Sequence, residues 1–272
     1  LTLATERALR ARSGTIAYLE AGSGPAVVVL HGIGSRAFSW TTQLERWSER
    51  YRVVAWDAPG YGLSDPFASG EPAAADYADA LADVIDALGL ERPIVVGHSL
   101  GALIAGTFAL RHPDRARALV LLSVACGYGY LSPVDRERRF AARAGDVRAL
   151  GPAGLAAKRS AALLSAKAPE ADVARVRAAM SSVNEAGYLA ALRMLIDADL
   201  LATIGRVALP ALVACGSEDA VTPPEQNRRV AEAIPGARFA LIEGGGHAVY
   251  VERPDGLDAA LLPFFAAVTG AR

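Results

Sequence analysis

Gly97-His98-Ser99-Leu100-Gly101 reads G-x-S-x-G, and it stands where the apolar run 93–97 gives way to a second apolar stretch, 100–110. A strand that turns sharply into a buried helix forces the residue at the turn into a strained backbone. Its neighbours must then be small, and the Ser99 hydroxyl is lifted to the edge of a sheet. Glycine at 97 and 101 meets that demand. A serine so placed attacks carbonyl carbon, and the N-terminus of the following helix offers the Leu100 N–H to the oxyanion that forms.

A hydroxyl needs a base, and the chain has four histidines, His31, His98, His112 and His247. His98 adjoins the serine and is expected to point elsewhere. His112 precedes Pro113 at a helix end, and His31 belongs to a His-Gly turn as a packing residue. His247 follows a strand-like run, 239–242, on Gly244-Gly245-Gly246-His247, a loop whose expected mobility would let the imidazole reach the nucleophile. It is the base by elimination and by position. A buried carboxylate must then fix its tautomer. Asp219 follows the run 211–216 and so stands at the same sheet edge, with Glu218 as the nearest competitor; Asp57 and Asp65 read as loop braces.

These residues need a frame. Two alternating runs, 7–12 and 15–20, flank Ser13-Gly14 and predict a hairpin. The continuous apolar runs 25–30, 52–56, 93–97, 118–123 and 211–216 predict strands covered on both faces, hence a mostly parallel sheet with helices on both sides. Tyr77, Leu81, Val84, Ile85 and Leu88 make one helix face, stopped by Gly89. Segments 223–234 and 257–268 predict amphipathic helices, the last kinked or shortened at Pro263. From 124 to 205 the alternation stops and four helical stretches rich in Ala and Arg follow one another. The division this predicts is a core of 1–123 and 206–272 with an inserted helical cap, 124–205. That insertion holds eleven Lys/Arg against eight Asp/Glu, a balance of +3 that leaves −4 on the rest of the chain. Solvated helix faces account for such a balance, as does a cationic lid that greets an anionic substrate.

With 52% hydrophobic and 21% charged residues the chain is globular, and a net charge of −1 without a Lys/Arg block gives no field to gather nucleic acid or an anionic membrane. Cys126 and Cys215 lack C-x-x-C spacing and read as buried thiols. No metal and no organic cofactor is expected, since neither a His-x-x-His cluster nor a dinucleotide turn is present. An apolar run of about eighteen residues is missing and the start of the chain alternates, which makes a cytoplasmic location the expectation. A short leader trimmed ahead of Leu1 is compatible with the absence of an initial methionine.

His31-Gly32, Asp57-Ala58-Pro59-Gly60-Tyr61-Gly62-Leu63-Ser64, the Ser99 turn, Gly216-Ser217-Glu218-Asp219 and Gly245-Gly246-His247 together resemble the α/β-hydrolase family over nearly the whole chain. The resemblance implies the α/β-hydrolase fold, the chain order Ser99, Asp219, His247 for a catalytic triad, the Ile33 N–H as second oxyanion donor, and a structural part for 57–64. H-G-I-G-S, W-D-A-P-G-Y-G and G-H-S-L-G are most similar to the 3-oxoadipate enol-lactonase group and its esterase relatives. That likeness implies a serine hydrolase that cleaves a small carboxylic ester or lactone through an acyl-enzyme. Haloalkane dehalogenases and epoxide hydrolases carry aspartate where this chain has Ser99. Carbon–carbon hydrolases of ring-cleavage products, whose Asn and G-x-G-P-G are replaced here by His98 and Gly32-Ile33-Gly34-Ser35, remain an alternative. So do cofactor-free haloperoxidases and a ligand-binding member without catalysis. Tyr128, Tyr130, Met180, Tyr188 and Met194 of the insertion, with Val221, Val249 and Tyr250 beside the triad loops, are the expected substrate contacts, and Arg193 is a possible partner for a substrate carboxylate.

Overall fold

The alternation at the start of the chain pairs off as an antiparallel hairpin of β1 (Thr5–Ala11) and β2 (Gly14–Ala21), in a computed structural model that describes residues 5–270. The turn is Arg12-Ser13, one position earlier than the sequence suggests. Ala11 pairs directly with Gly14, and the positive φ of +124° belongs to this first residue of β2.

The five apolar runs form β3 (Ala26–Leu30), β4 (Arg52–Trp56), β5 (Ile94–His98), β6 (Ala118–Leu122) and β7 (Ala211–Gly216), and β8 (Arg238–Ile242) closes the sheet. The spatial order is β1-β2-β4-β3-β5-β6-β7-β8, with every pair from β4 to β8 parallel. Every residue of β5, β6 and β7 is buried. Because successive strand residues face opposite sides, both faces of the sheet centre are covered.

The covers are α1 (Thr41–Trp47), α2 (Ala74–Ala87), α3 (Leu100–Arg111), then α4 (Pro133–Arg159), α5 (Glu170–Ser181) and α6 (Glu185–Asp197) in succession, and finally α7 (Pro224–Ala233), α8 (Val249–Glu252) and α9 (Pro254–Thr269). On α2, Tyr77, Leu81, Val84 and Ile85 are fully buried and Leu88 partly so. At about 1.5–3 kcal/mol for each large apolar side chain, that face outweighs the helix's exposed aspartates as the reason it docks. Gly89, at φ +60°, ends it. Pro263 does not break α9. It lies on the exposed side, as does Ala259, whose carbonyl loses its helical donor to the proline ring.

Between β6 and β7 the described chain forms helices and a single isolated bridge, Gly127 with Asp199. α4 is two arms meeting at Gly151, whose φ of 64° and ψ of 173° are not helical. In an unbroken helix Lys158 and Asp146 would lie about 18 Å apart at 1.5 Å per residue. They are ion-paired at 2.9 Å, so the arms fold back on each other. Among the described residues no helix is long and apolar enough to cross a membrane.

Candidate active site

The chain runs from β3 out to β4 and then crosses back to β5 on the other side of β3, so the sheet order reverses between β3 and β5. A crevice opens at the carboxyl ends of two strands where the order switches in this way. The loop after β3 and the turn after β5 are therefore neighbours, in register through Leu30 and Gly97. The turn after β5 carries Ser99, at φ +54° and ψ −112° between strand and helix. A Cβ on Gly97 would stand 2.2 Å from the Gly101 carbonyl oxygen, and one on Gly101 would stand 2.4 Å from that of Leu30. Backbone cannot yield to either, so the turn closes only with glycine at both places.

Gly32-Ile33 borders the same serine. His31 takes a hydrogen bond from the Ala58 N–H on Nε2, at 3.0 Å. The proton of its ring is therefore on Nδ1, which donates to the Gly32 carbonyl at 2.8 Å. Burial lowers the pKa of this histidine and keeps it neutral. The Ser35 N–H donates to the same carbonyl at 3.1 Å. In a planar trans peptide the N–H points opposite to the C=O, so two anchors on Gly32 fix the direction of the Ile33 N–H. The Leu100 N–H lies in the first turn of α3, where helix donors have no intrahelical acceptor.

Asp57, Ser64 and Asp65 are braces, as their loop positions suggest. Asp57 holds the Ala37 N–H and Arg36, each at 2.8 Å. The Ser64 hydroxyl donates to the Asp57 carbonyl, and Asp65 accepts from the Thr15 N–H.

Asp219 follows β7 and faces His247, whereas its neighbour Glu218 is exposed. Its oxygens lie 3.0 and 3.1 Å from His247 Nδ1, and they accept from the Val221 N–H, the Thr222 N–H and the Thr222 hydroxyl, each at 2.9 Å. Burial alone would raise this carboxyl. The hydrogen bond and charge of His247 and the Thr222 N–H outweigh it and hold the pKa at about 2. Asp219 is thus a carboxylate, His247 carries its proton on Nδ1, and Nε2 is left as an acceptor.

β8 lies three strands from β5, about 14 Å at the usual spacing, so the loop after β8 must lean back over the sheet edge to bring His247 near Ser99. It is braced there rather than mobile. Ala248 N–H donates to the Leu163 carbonyl at 2.8 Å, and buried Glu252 accepts from the Gly246 N–H at 2.8 Å, the Ser165 N–H at 3.0 Å and the Ser165 hydroxyl. The glycines serve close contact: a Cβ on Gly246 would meet the Leu164 backbone at 2.4 Å. A further brace is His98. Instead of pointing away, its Nε2 donates to the His247 carbonyl at 2.8 Å, its ring lies 4.8 Å from that of His247, and it lines the same cavity. Burial and the neighbouring His247 push its pKa down to about 3, so it is neutral. Sequence position could not supply this contact, because it joins residues 149 apart.

Ser99 and His247 open onto one cavity of about 960 Å³, bounded by the β3 loop, the Ser99 turn and the helices between β6 and β7. No described group hydrogen-bonds the Ser99 hydroxyl. Tyr128, Tyr130, Met180, Tyr188, Val221 and Tyr250 line the cavity, Tyr130 and Val221 at its exposed rim. Val249 and Met194 do not: both are buried, and Val249 packs against Gly245. Arg193 is likewise elsewhere, over the Phe140 ring and paired with Glu137 at 2.9 Å. Cys215 is buried, whereas Cys126 is half-buried in the cavity wall.

The sequence model of the α/β hydrolase fold family matches residues 25–254. A putative carbamate hydrolase, RutD, of Caulobacter sp. (strain K31) is 30% identical, over 93% of this chain and 97% of that protein. A thermophilic esterase from Thermogutta terrifontis, solved with malate bound, is 27% identical, with a TM-score of 0.86 over 98% of this chain and 100% of its own. The enol-lactonase from Burkholderia xenovorans LB400 is 25% identical, with a TM-score of 0.86 over 96% and 100%.

Proposed function

The chain belongs to the α/β-hydrolase family, and from that premise we propose that it is a serine hydrolase that cleaves a small carboxylic ester or lactone through an acyl-enzyme. One observation carries the reading: the strained Ser99 and the Asp219-paired His247 open onto a single cavity.

The Ser99 Oγ attacks the substrate carbonyl carbon while His247 Nε2 takes the hydroxyl proton. Asp219 holds the Nδ1 proton and stabilises the imidazolium. The oxyanion is received by the N–H groups of Leu100 and Ile33, the first unpaired at a helix start and the second aimed by the two bonds on the Gly32 carbonyl. The imidazolium then protonates the departing alkoxide. Water, deprotonated by the same histidine, attacks the ester carbonyl of the acyl-enzyme and frees Ser99. For a lactone the two products remain one hydroxy acid. The segment 124–205 acts as a cap, since its loop residue Tyr128 and its helical residues Met180 and Tyr188 line the cavity above the sheet edge.

Ser99→Ala is expected to lower hydrolysis of p-nitrophenyl butyrate by about a thousandfold or more, with an unchanged melting temperature. Full activity in that variant would exclude the mechanism.

A further inference from the structure

The charges inside the cavity wall are unequal. Its lining includes Arg143, Arg159, Arg175 and Arg229 against the two carboxylates of Glu45 and Asp199. Arg175 is exposed and engaged with Thr42 at 2.7 Å and Asp172 at 3.9 Å, and Arg229 is exposed. Arg143 and Arg159 differ from both. They are partly buried, one on each arm of the broken helix α4, and among the described residues neither makes an ion pair. Asp146, whose charge acts on Arg159, is itself paired with Lys158 at 2.9 Å.

The fold-back at Gly151 brings these two guanidinium groups to one place. Arg143 Nε donates to the buried Tyr188 hydroxyl at 3.0 Å, which leaves the outer nitrogens of Arg143 and the phenolic proton of Tyr188 uncommitted. Burial, with the like charge of Arg143 added to it, lowers the pKa of Arg159. Two like charges held together with no ion-pair partner of their own are unfavourable, and an anion between them removes the repulsion. Arginine's planar fork matches the paired oxygens of a carboxylate.

We propose that Arg143, Arg159 and the Tyr188 hydroxyl form an anion subsite, and that the ester or lactone cleaved at Ser99 carries a carboxylate which this subsite binds. The proposal rests on the serine-hydrolase reading for the bond that is broken, and on the cavity alone for the group that is bound. It also gives the positive balance of the insertion a place of action.

The test compares the p-nitrophenyl monoester of glutaric acid with neutral p-nitrophenyl hexanoate, for wild type, Arg143→Gln, Arg159→Gln and Arg143→Lys. Wild type is expected to favour the anionic ester in kcat/KM by about tenfold or more. In each Gln variant that ratio collapses toward one, through a rise in KM for the anionic ester, while Arg143→Lys restores part of it. A wild type without preference overturns the subsite, and so does an equal loss on both esters, which is what a merely structural arginine gives. If neither ester is cleaved and a fluorophosphonate leaves Ser99 unlabelled, the hydrolase reading has failed. Calorimetric titration with glutarate then decides the subsite by itself: binding lost in Arg159→Gln supports it, whereas no binding, or binding of inorganic phosphate alone, overturns the carboxylate.

Discussion

Asp219 remains ionised in a place that disfavours charge. Its burial raises the carboxyl, and His247 above all, with the Thr222 N–H and Ser123, brings the pKa to about 2. Two of its hydrogen-bond donors, Val221 N–H and Thr222 N–H, come from the turn that follows it, so the sequence Asp219-Ala220-Val221-Thr222 builds its own carboxylate cradle. Asp219→Asn preserves the shape of this turn and removes the charge. Its amide can donate to His247 Nδ1, which places the imidazole proton on Nε2, where the serine must deliver its own. The expected outcome is a fall in kcat on p-nitrophenyl butyrate of roughly 10³- to 10⁴-fold with little change in KM. A variant within tenfold of wild type would remove Asp219 from the triad.

At the scale of elements, β4 and β7 are the runs 52–56 and 211–216 themselves, and β3, β5 and β6 match theirs to within a residue at each end. A doubly covered strand leaves an unbroken apolar run, short and bounded by turn residues. The Ser99 turn was legible for a related reason, because only glycine fits on either side of it. The loop carrying His247 was not legible. Its glycines suggested freedom, whereas Gly245 and Gly246 allow backbone to touch backbone, and the partners they touch, Gly216 and Leu164, are set by tertiary contact alone. Arg143 and Arg159 were missed because α4 reads as helix throughout, and one left-handed glycine places two residues of separate arms on one wall. Glu252 ties these elements together, joining Ser165, between β6 and β7, to Gly246 beside the histidine. Glu252→Gln keeps the size and loses the charge on three hydrogen bonds. Bonds to a charged group contribute about 1.5–3 kcal/mol each and part of that survives in the amide, so a loss of about 2 kcal/mol in urea unfolding is expected. Because the same bonds hold the His247 loop over β5, kcat should fall with it, by about tenfold. Lost stability with wild-type kcat would separate the brace from the site.

For the whole molecule, the histidines link pH to the integrity of the fold. His98 ties the centre of the sheet to a loop from the last strand, and burial holds its ring neutral there. Burial dominates and sets its pKa at about 3; of the groups around it, the charges of His247 and His31 oppose a proton on the ring, while the His247 carbonyl and Asp219 favour one. In the unfolded chain the same residue titrates near 6.5. Between these values the unfolded chain binds the extra proton, so stability is lost as pH falls below about 6.5 and the loss is complete near pH 3. From pH 6.5 to 4.5 this amounts to about 2 kcal/mol for His98. His31 adds to it with the same sign, since burial lowers its pKa too. Asp219 acts in a lower window: a carboxyl depressed to about 2 stabilises the folded state above pH 4 and loses that contribution as pH falls from there toward 2. Acid unfolding should therefore come in two stages, a shallow limb below pH 6.5 set by the histidines and a steeper one below pH 4. His98→Gln keeps a neutral N–H donor at the place of Nε2 for the His247 carbonyl and has nothing to titrate. Urea midpoints measured from pH 7 to 4.5 should fall less in this variant, by the equivalent of about 2 kcal/mol, even where it starts from a lower stability. Parallel curves for the two proteins would mean that His98 is not the group that senses acid.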